Sequence, residues 1–340
     1  MEESRAVTIH DVANKAGVAV SSVSRALSSH PDVSPGMKAK VLAAAEELGY
    51  SPDPGAQSLR SGFTRTIGFV VRDIANPFFG DIIHGVEEAL NDAGYTLLVT
   101  NSSGDPVREI DRLTLLRQRK VDALLLSSIS EASTRTSKAI ASFNRPVVLI
   151  DRDPRKLKAG SVLLDHAQGV REATTDLIAL GHRRIAMITG STAIRPTRER
   201  LRGFQEAFEA AGLTVDESLL APGAFSGTFA QETTKRLLAL PDGERPTALI
   251  AGGVQTTIGV LEALSELGLR PGEGLSLVVC DDLPWLRVMR PMISVVTRDA
   301  EEMGRQAAGL ALELIKGSEP RSVMLPTAYE VRETSLALTS

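Results

Sequence analysis

A chain of 340 residues with 43% hydrophobic and 24% charged residues can bury a large core, and its length suits two or three domains. A formal net charge of −4 excludes a polycation that coats nucleic acid indiscriminately, but leaves room for a local binding face. The single cysteine, Cys280, excludes an internal disulfide, and no apolar run approaches the roughly 20 residues that a membrane helix needs. The start MEESRAVTIHDVANKAG has no apolar stretch of the signal-peptide kind, so the expected location is cytoplasmic.

Residues 1–49 read as all-helical. TIHDVANKAGVAVSSVSRAL, residues 8–27, divides into two short helices. Thr8 with Asp11 resembles a capping box with Asp in place of Glu, and Ile9, Val12, Ala13 and Ala16 then share a face. Gly17 stops the first helix, and Val20, Val23, Ala26 and Leu27 form the apolar face of the second. A third helix begins with Ser34 as cap and Pro35 in its first position. It turns Val41, Ala44, Ala45 and Leu48 inward and ends at Gly49.

Two short helices joined by a tight Gly-containing turn form the helix-turn-helix pattern. The second helix leaves Ser21, Ser22 and Arg25 outside. Small hydroxyls let a helix approach the major groove, and arginine can pair with guanine O6 and N7. Ser24 and Ser28 could reach phosphates. From Met1 to Arg65 there are seven basic and seven acidic residues, so the case for DNA rests on pattern rather than on charge. The competing reading is a small helical bundle with a solvated polar face.

Residues 50–66, YSPDPGAQSLRSGFTRT, carry Pro52, Pro54, Gly55 and Gly62 and read as a linker. Within it, Ala56, Gln57, Ser58, Leu59 and Arg60 can form one or two helical turns, too few to hold alone in water. Leu59 has little to bury against, which points to an apolar wedge for the minor groove.

From Ile67 onward, short apolar runs alternate with amphipathic helices. The runs are TIGFVV, TLLVT, DALLLS, PVVLI, SVLL, IAMIT, TALIA, LSLVV and ISVV. Helices are expected near 79–93, 107–119, 167–180, 198–211, 255–267 and 299–316. Continuous apolar strands alternating with helices predict parallel sheets covered on both faces. Nine or more strands exceed one usual sheet, so two doubly wound subdomains are expected, with a ligand cleft at the carboxyl ends of their strands.

These landmarks together resemble the lactose/galactose repressor (LacI/GalR) family of bacterial transcription regulators. The likeness is carried by the opening motif, by VSPGMKAKVLAAAEELGYSP, by TIGFVVRDIANPFFGDIIHGVEEALNDAGYTLLV, and by DLIALGHRRIAMITG, RLRGFQEAF and CDDLPW, in the family's order. The resemblance implies a helix-turn-helix domain over 1–49, a hinge over 50–66 and a periplasmic-binding-protein-like core over 67–340. The core's subdomains would comprise roughly 67–165 with 293–325, and 166–292 with 326–340. It implies a homodimer on a pseudo-palindromic double-stranded operator, with Val20, Ser21 and Arg25 reading bases and Leu59 intercalating. Thr8, Ser22, Ser24, Ser28, Ala56 and Gln57 complete the expected DNA-binding set. Two departures stand out. Ala19 replaces the usual Ser or Thr cap of the recognition helix, a loss of about 1 kcal/mol in typical hosts. Asp53-Pro54 replaces an Asn-X pair where the hinge begins.

For the cleft, the resemblance implies Phe78 and Phe79 as wall residues, although core packing would also explain them. Asp151 follows a strand and could accept ligand hydrogen bonds or cap a loop. Arg200 matches an effector-binding arginine; Arg195 joins it, and a surface salt bridge is the competing reading. Phe225 matches a stacking aromatic and Asp281 an effector-binding acid. Gly253-Val254 stands where relatives usually carry Asn-Asp, which implies an effector unlike the common sugars or one read by fewer hydrogen bonds. Arg195, Arg198 and Arg200 hint at an anion such as a sugar acid or phosphate ester.

Catalysis is not expected. No pair among His10, His30, His84, His166 and His182 has metal-ligand spacing, and no nucleophile elbow, Walker loop or dinucleotide fingerprint occurs. No cofactor, metal or membrane partner is expected. The tail YEVRETSLALTS lacks sustained leucine heptads, so nothing argues for a coiled-coil tetramer. The expected function is a DNA-binding regulator, of repressor type, controlled by a sugar, sugar acid or related metabolite. The alternative is a solute-binding protein without a regulatory role.

Overall fold

The computed structural model describes residues 7–27, 32–51, 62–155 and 157–338. By internal contacts the chain forms two units, Met1–Thr64 and Arg65–Ser340.

The first unit contains α1 (Ile9–Ala16), α2 (Val20–Leu27) and α3 (Pro35–Leu48). Each boundary has a local cause. The Asp11 carboxylate accepts from the Thr8 N–H at 2.8 Å and from its hydroxyl at 2.7 Å, which closes the first turn of α1. Gly17 and Gly49 end α1 and α3 in the left-handed conformation, with φ of 61° and 63°. Ser34 Oγ accepts from the Met37 N–H and caps α3. The buried core is Val12, Ala13, Ala16, Val23, Ala26, Val41, Ala44 and Ala45. Only valine and alanine fill it, so the three helices lie close together.

The second unit holds two six-stranded sheets. The first runs β11-β5-β4-β3-β1-β2 and is parallel throughout. Its strands are β1 (Thr66–Val71), β2 (Thr96–Asn101), β3 (Ala123–Leu126), β4 (Val147–Ile150), β5 (Gly160–Leu164) and β11 (Ser322–Leu325). The second runs β12-β10-β9-β8-β6-β7, and only β12 is antiparallel to its neighbour. It is built from β6 (Ile185–Thr189), β7 (Leu220–Pro222), β8 (Ala248–Ala251), β9 (Ser276–Cys280), β10 (Ser294–Arg298) and β12 (Thr327–Glu330). The helices are α4 (Pro77–Asp92), α5 (Pro106–Gln118), α6 (Thr134–Ala141), α7 (His166–Ala179), α8 (Arg195–Ala210), α9 (Gly227–Leu238), α10 (Val254–Glu266) and α11 (Ala300–Ile315). All nine apolar runs are strands, and β3, β4, β6, β8 and β9 are buried along their whole length.

The chain passes between the sheets three times: after β5, after β10, and between β11 and β12. One expected boundary is corrected by this. Residues 293–298 do not belong with the first subdomain, because Val295 and Val296 pair in register with Val279 and Cys280 of the second sheet. The crossing falls after Arg298, where α11 begins and covers the first sheet through Met303, Ala307 and Leu310.

Helices α4 and α11 approach closely through glycines. A Cβ added at Gly85 would lie 2.1 Å from the Glu301 carbonyl oxygen, and one at Gly304 would lie 2.2 Å from that of Ile82. Both obstacles are backbone, so a rotamer change cannot relieve them. Gly85→Ala is therefore expected to destabilise the protein by about 3 kcal/mol, the upper part of the overpacking range, in urea unfolding. An unchanged midpoint would contradict the close crossing.

Candidate functional site

Helix α2 has one anchored face and one outward face. Val23 and Ala26 are fully buried, Ser21 and Arg25 are exposed, and Val20, Ser22 and Ser24 are half-buried. Ala19 occupies the cap position. Its carbonyl accepts from the Ser22 and Val23 N–H groups, but its methyl offers no cap of its own. Thr8 acts as the cap of α1, its hydroxyl already given to Asp11. Ser28, Ala56, Gln57 and Leu59 lie outside the described residues.

In the second unit, the carboxyl ends of the strands of both sheets surround a cavity of about 160 Å³. The first subdomain contributes Arg72 and Asp73 after β1, Ser127 after β3, and Asp151 and Arg152 after β4. The second contributes Arg200 from α8, Phe225 before α9, Gln255 from α10 and Arg298 at the end of β10. Phe78 and Phe79 form part of the wall. Asn76 Oδ1 accepts from the Phe78 N–H and starts α4 there. Phe79 also belongs to the core of the first subdomain, so for this residue both expected readings apply. The guanidinium of Arg298 lies 3.5 Å from the ring centroid of Phe78, and that of Arg72 lies 4.9 Å from that of Phe225.

Five of the seven residues expected in the cleft line this cavity: Phe78, Phe79, Asp151, Arg200 and Phe225. Arg195 and Asp281 are not among the lining residues, although Asp281 pairs with the lining Arg298. Arg195 is buried and its guanidinium donates to the Leu164 carbonyl at 2.7 Å, so it fastens the start of α8 to the end of β5. Asp281 is buried behind the wall and ion-pairs with Arg298. Burial pushes its carboxyl up by more than Arg298 and Arg200 pull it down. Asp281 has φ 125° and Asp151 φ 53°, conformations uncommon outside glycine, and both lie at the ends of strands facing the cleft. Sequence reasoning missed Arg72, Arg152 and Arg298. Each follows or ends a buried strand, so the strand-end rule that found Asp151 would have found them.

Gly253 explains its own departure from the usual polar pair. Its φ is 140°, a conformation that suits glycine, and a Cβ there would lie 2.6 Å from the tip of the Phe225 ring. A Cβ at Gly190 would lie 2.4 Å from the same ring. Two glycines thus make room for the aromatic wall.

A second group joins the subdomains beside the cleft. The Glu131 side chain, from the loop after β3, ion-pairs with Arg198 and accepts from the Arg195 N–H at 3.1 Å and the Asp153 N–H at 3.0 Å. The Glu131 N–H donates to the Ala193 carbonyl at 3.1 Å. Arg198 is thereby spent on Glu131.

Asp151 is held from behind. The His166 Nε2 lies 2.8 Å from its Oδ2, and the Leu164 N–H donates to its Oδ1. Burial would raise the Asp151 carboxyl, but His166, Arg152 and Arg298 more than reverse this and hold it well below the usual carboxylate range. Burial takes His166 down to about 4 against the pull of Asp151, with Arg200 and Arg298 adding to the fall. Burial lowers Arg152 to about 10.

Comparison with known proteins adds the following. Residues 8–53 match the family model described as bacterial regulatory proteins, lacI family, and residues 174–335 match the periplasmic binding protein-like domain. The chain is 31% identical over 309 residues to the HTH-type transcriptional repressor PurR of Photobacterium profundum, covering 91% of this chain and 92% of that protein. It is 30% identical to the HTH-type transcriptional regulator DegA of Bacillus subtilis, covering 97% and 98%. The structure of the lac repressor dimer bound to operator and the anti-inducer ONPF superimposes with a TM-score of 0.84 at 25% identity, over 98% of this chain and 100% of that one.

The buried histidine predicts a pH dependence. The folded chain takes up the His166 proton near 4, whereas an exposed histidine does so near 6.5. Between these values the unfolded chain binds more protons, so this group lowers stability as the pH falls from 6.5 towards 4. The slope is at most about 1.4 kcal/mol per pH unit. Urea unfolding from pH 7 to pH 4.5 should show a shallower loss in His166→Gln than in the unaltered protein. Equal slopes would contradict a neutral buried His166.

Proposed function

Since the chain belongs to the lacI family of bacterial regulatory proteins, we propose that it binds a pseudo-palindromic double-stranded operator as a homodimer and that a small molecule in the core cleft sets its affinity. The observation that carries the DNA half is the outward face of α2. Ser21 and Arg25 are presented from a helix fixed by the buried Val23 and Ala26. Arg25 makes the bidentate contact to guanine, and Ser21 and Val20 read neighbouring base edges. Ser22 belongs to the same reading face, Ser24 and Ser28 are assigned to phosphates, and Thr8 completes the DNA-binding set. The linker residues Ala56, Gln57 and Leu59 complete the interface, with Leu59 as the minor-groove wedge.

The cleft half rests on the convergence of Arg200, Phe225, Phe78 and Asp151 on one cavity between two subdomains. A ligand touching both sheets favours one angle between them. Arg195 and Glu131 bridge the subdomains next to the cavity, so any change of angle must also stretch or release those contacts. In a dimer held by the core, such a change alters the spacing of the two linkers. Couplings of this kind amount to about 1–3 kcal/mol. Exposed Ile74, Trp285 and Val288 offer apolar surface on the core for a second copy.

Arg25→Ala is expected to weaken binding to a preferred operator, selected from random duplexes, by about 1–3 kcal/mol while leaving binding to unrelated DNA nearly unchanged. Fluorescence anisotropy at fixed salt reads both. An equal loss on both DNAs would refute the base-reading role.

A further inference from the structure

We infer that the cleft recognises a small polyhydroxylated anion, with a carboxylate or phosphoryl group held between Arg72, Arg152 and Arg200. This deepens the effector reading and rests on it. Four arginines and two aspartates line the cavity. Asp151 accepts from His166 and the Leu164 N–H, and Asp73 accepts from the Ala75 N–H. Arg298 ion-pairs with Asp281, whereas Asp151 and Glu131 act on Arg152, Asp73 on Arg72 and Asp281 on Arg200 without forming an ion pair. Among the described residues no carboxylate lies within ion-pair distance of Arg72, Arg152 or Arg200.

Burial makes that arrangement costly. Arg152 is 4% exposed and Arg200 3% exposed. Arg152 meets only carbonyls, those of Ser128 at 2.6 Å and Asp151 at 2.8 Å. Arg200 Nε is buried without any hydrogen-bond partner, as is Arg298 Nε. Desolvation without a counter-charge is unfavourable, and guanidinium groups only donate. A neutral sugar presents hydroxyls that must donate as well as accept. A carboxylate or phosphoryl group only accepts, and it adds negative charge where four arginines outnumber Asp73, Asp151 and the adjoining Asp281. The rest of the lining suits a hydroxylated carbon chain: Phe225 and Phe78 offer apolar surface, and Ser127 and Gln255 offer polar groups. The arginines responsible differ from those that the segment 195–200 led one to expect. Arg195 and Arg198 are spent on Leu164 and Glu131, and only Arg200 faces the cavity.

The test uses the full chain and three probes: D-gluconate, its neutral counterpart D-glucose, and inorganic phosphate. Each is titrated in the low-millimolar range at constant ionic strength, and the melting temperature is read. Gluconate and phosphate should raise it saturably and glucose should not. Arg200→Gln should move the half-saturation point up by at least about ten-fold, the equivalent of one charge-assisted hydrogen bond. Arg72→Gln, at a half-exposed position that leaves the core intact, should do the same. No saturable rise with either anion, or glucose matching gluconate, would overturn the proposal. A rise that persists unchanged in both arginine variants marks an adventitious anion only, and also overturns it. If glucose binds and Phe225→Ala abolishes that binding, the cleft remains the effector site and only its anion preference falls. If the response to every probe is indifferent to Arg200→Gln, Arg72→Gln and Phe225→Ala, the effector reading of the cleft falls with it.

Discussion

Buried positive charge is the constraint around which the core is organised. Arg152 and Arg200 are taken almost wholly out of water without a carboxylate at ion-pair distance, at the point where two sheets face each other. A charge in that position is tolerated only if something answers it. Asp281 answers Arg298 from behind the wall, Phe78 and Phe225 lie against Arg298 and Arg72, and backbone carbonyls hold Arg152. Arg200 is left with an unmet Nε. The cleft is therefore a site whose chemistry is complete only with a partner in it, which is what a ligand-dependent regulator needs.

The fold supplies the means of converting occupancy into motion. Two mainly parallel sheets point strand carboxyl ends at one cavity, and the chain crosses between them three times. Arg195, reaching from α8 to the end of β5, and Glu131, reaching from the first subdomain to α8, lie at the seam. The glycine crossing of α4 and α11 packs the two helices of the first subdomain backbone to backbone.

Much of this was legible in the residues. The continuous apolar runs became strands because strands buried on both faces need no alternation. Helices α1 and α3 start and stop at Thr8, Gly17, Ser34 and Gly49 for local reasons of capping. What was not legible depends on distant contacts or on marginal burial. Strands β7, β11 and β12 lie at sheet edges, short and only partly buried, so they carry no apolar run to announce them. The place of β10 is set by pairing with β9, which its own sequence cannot report. Arg195 and Arg200 are indistinguishable as letters on one helix. The carbonyl of Leu164 takes the first and the cavity receives the second. The role of Gly253 became plain only once the Phe225 ring was seen lying over it.

The most direct test joins the two halves of the molecule. Operator affinity should be measured with and without D-gluconate or inorganic phosphate at constant ionic strength, in the unaltered protein and in Arg200→Gln. Anions weaken DNA binding generally by competing for cations, so the informative quantity is the ratio of the two responses. The account predicts a change of about five-fold or more in the unaltered protein beyond that in Arg200→Gln. Identical responses in both proteins would contradict the claim that the arginine-lined cleft governs the hold on DNA.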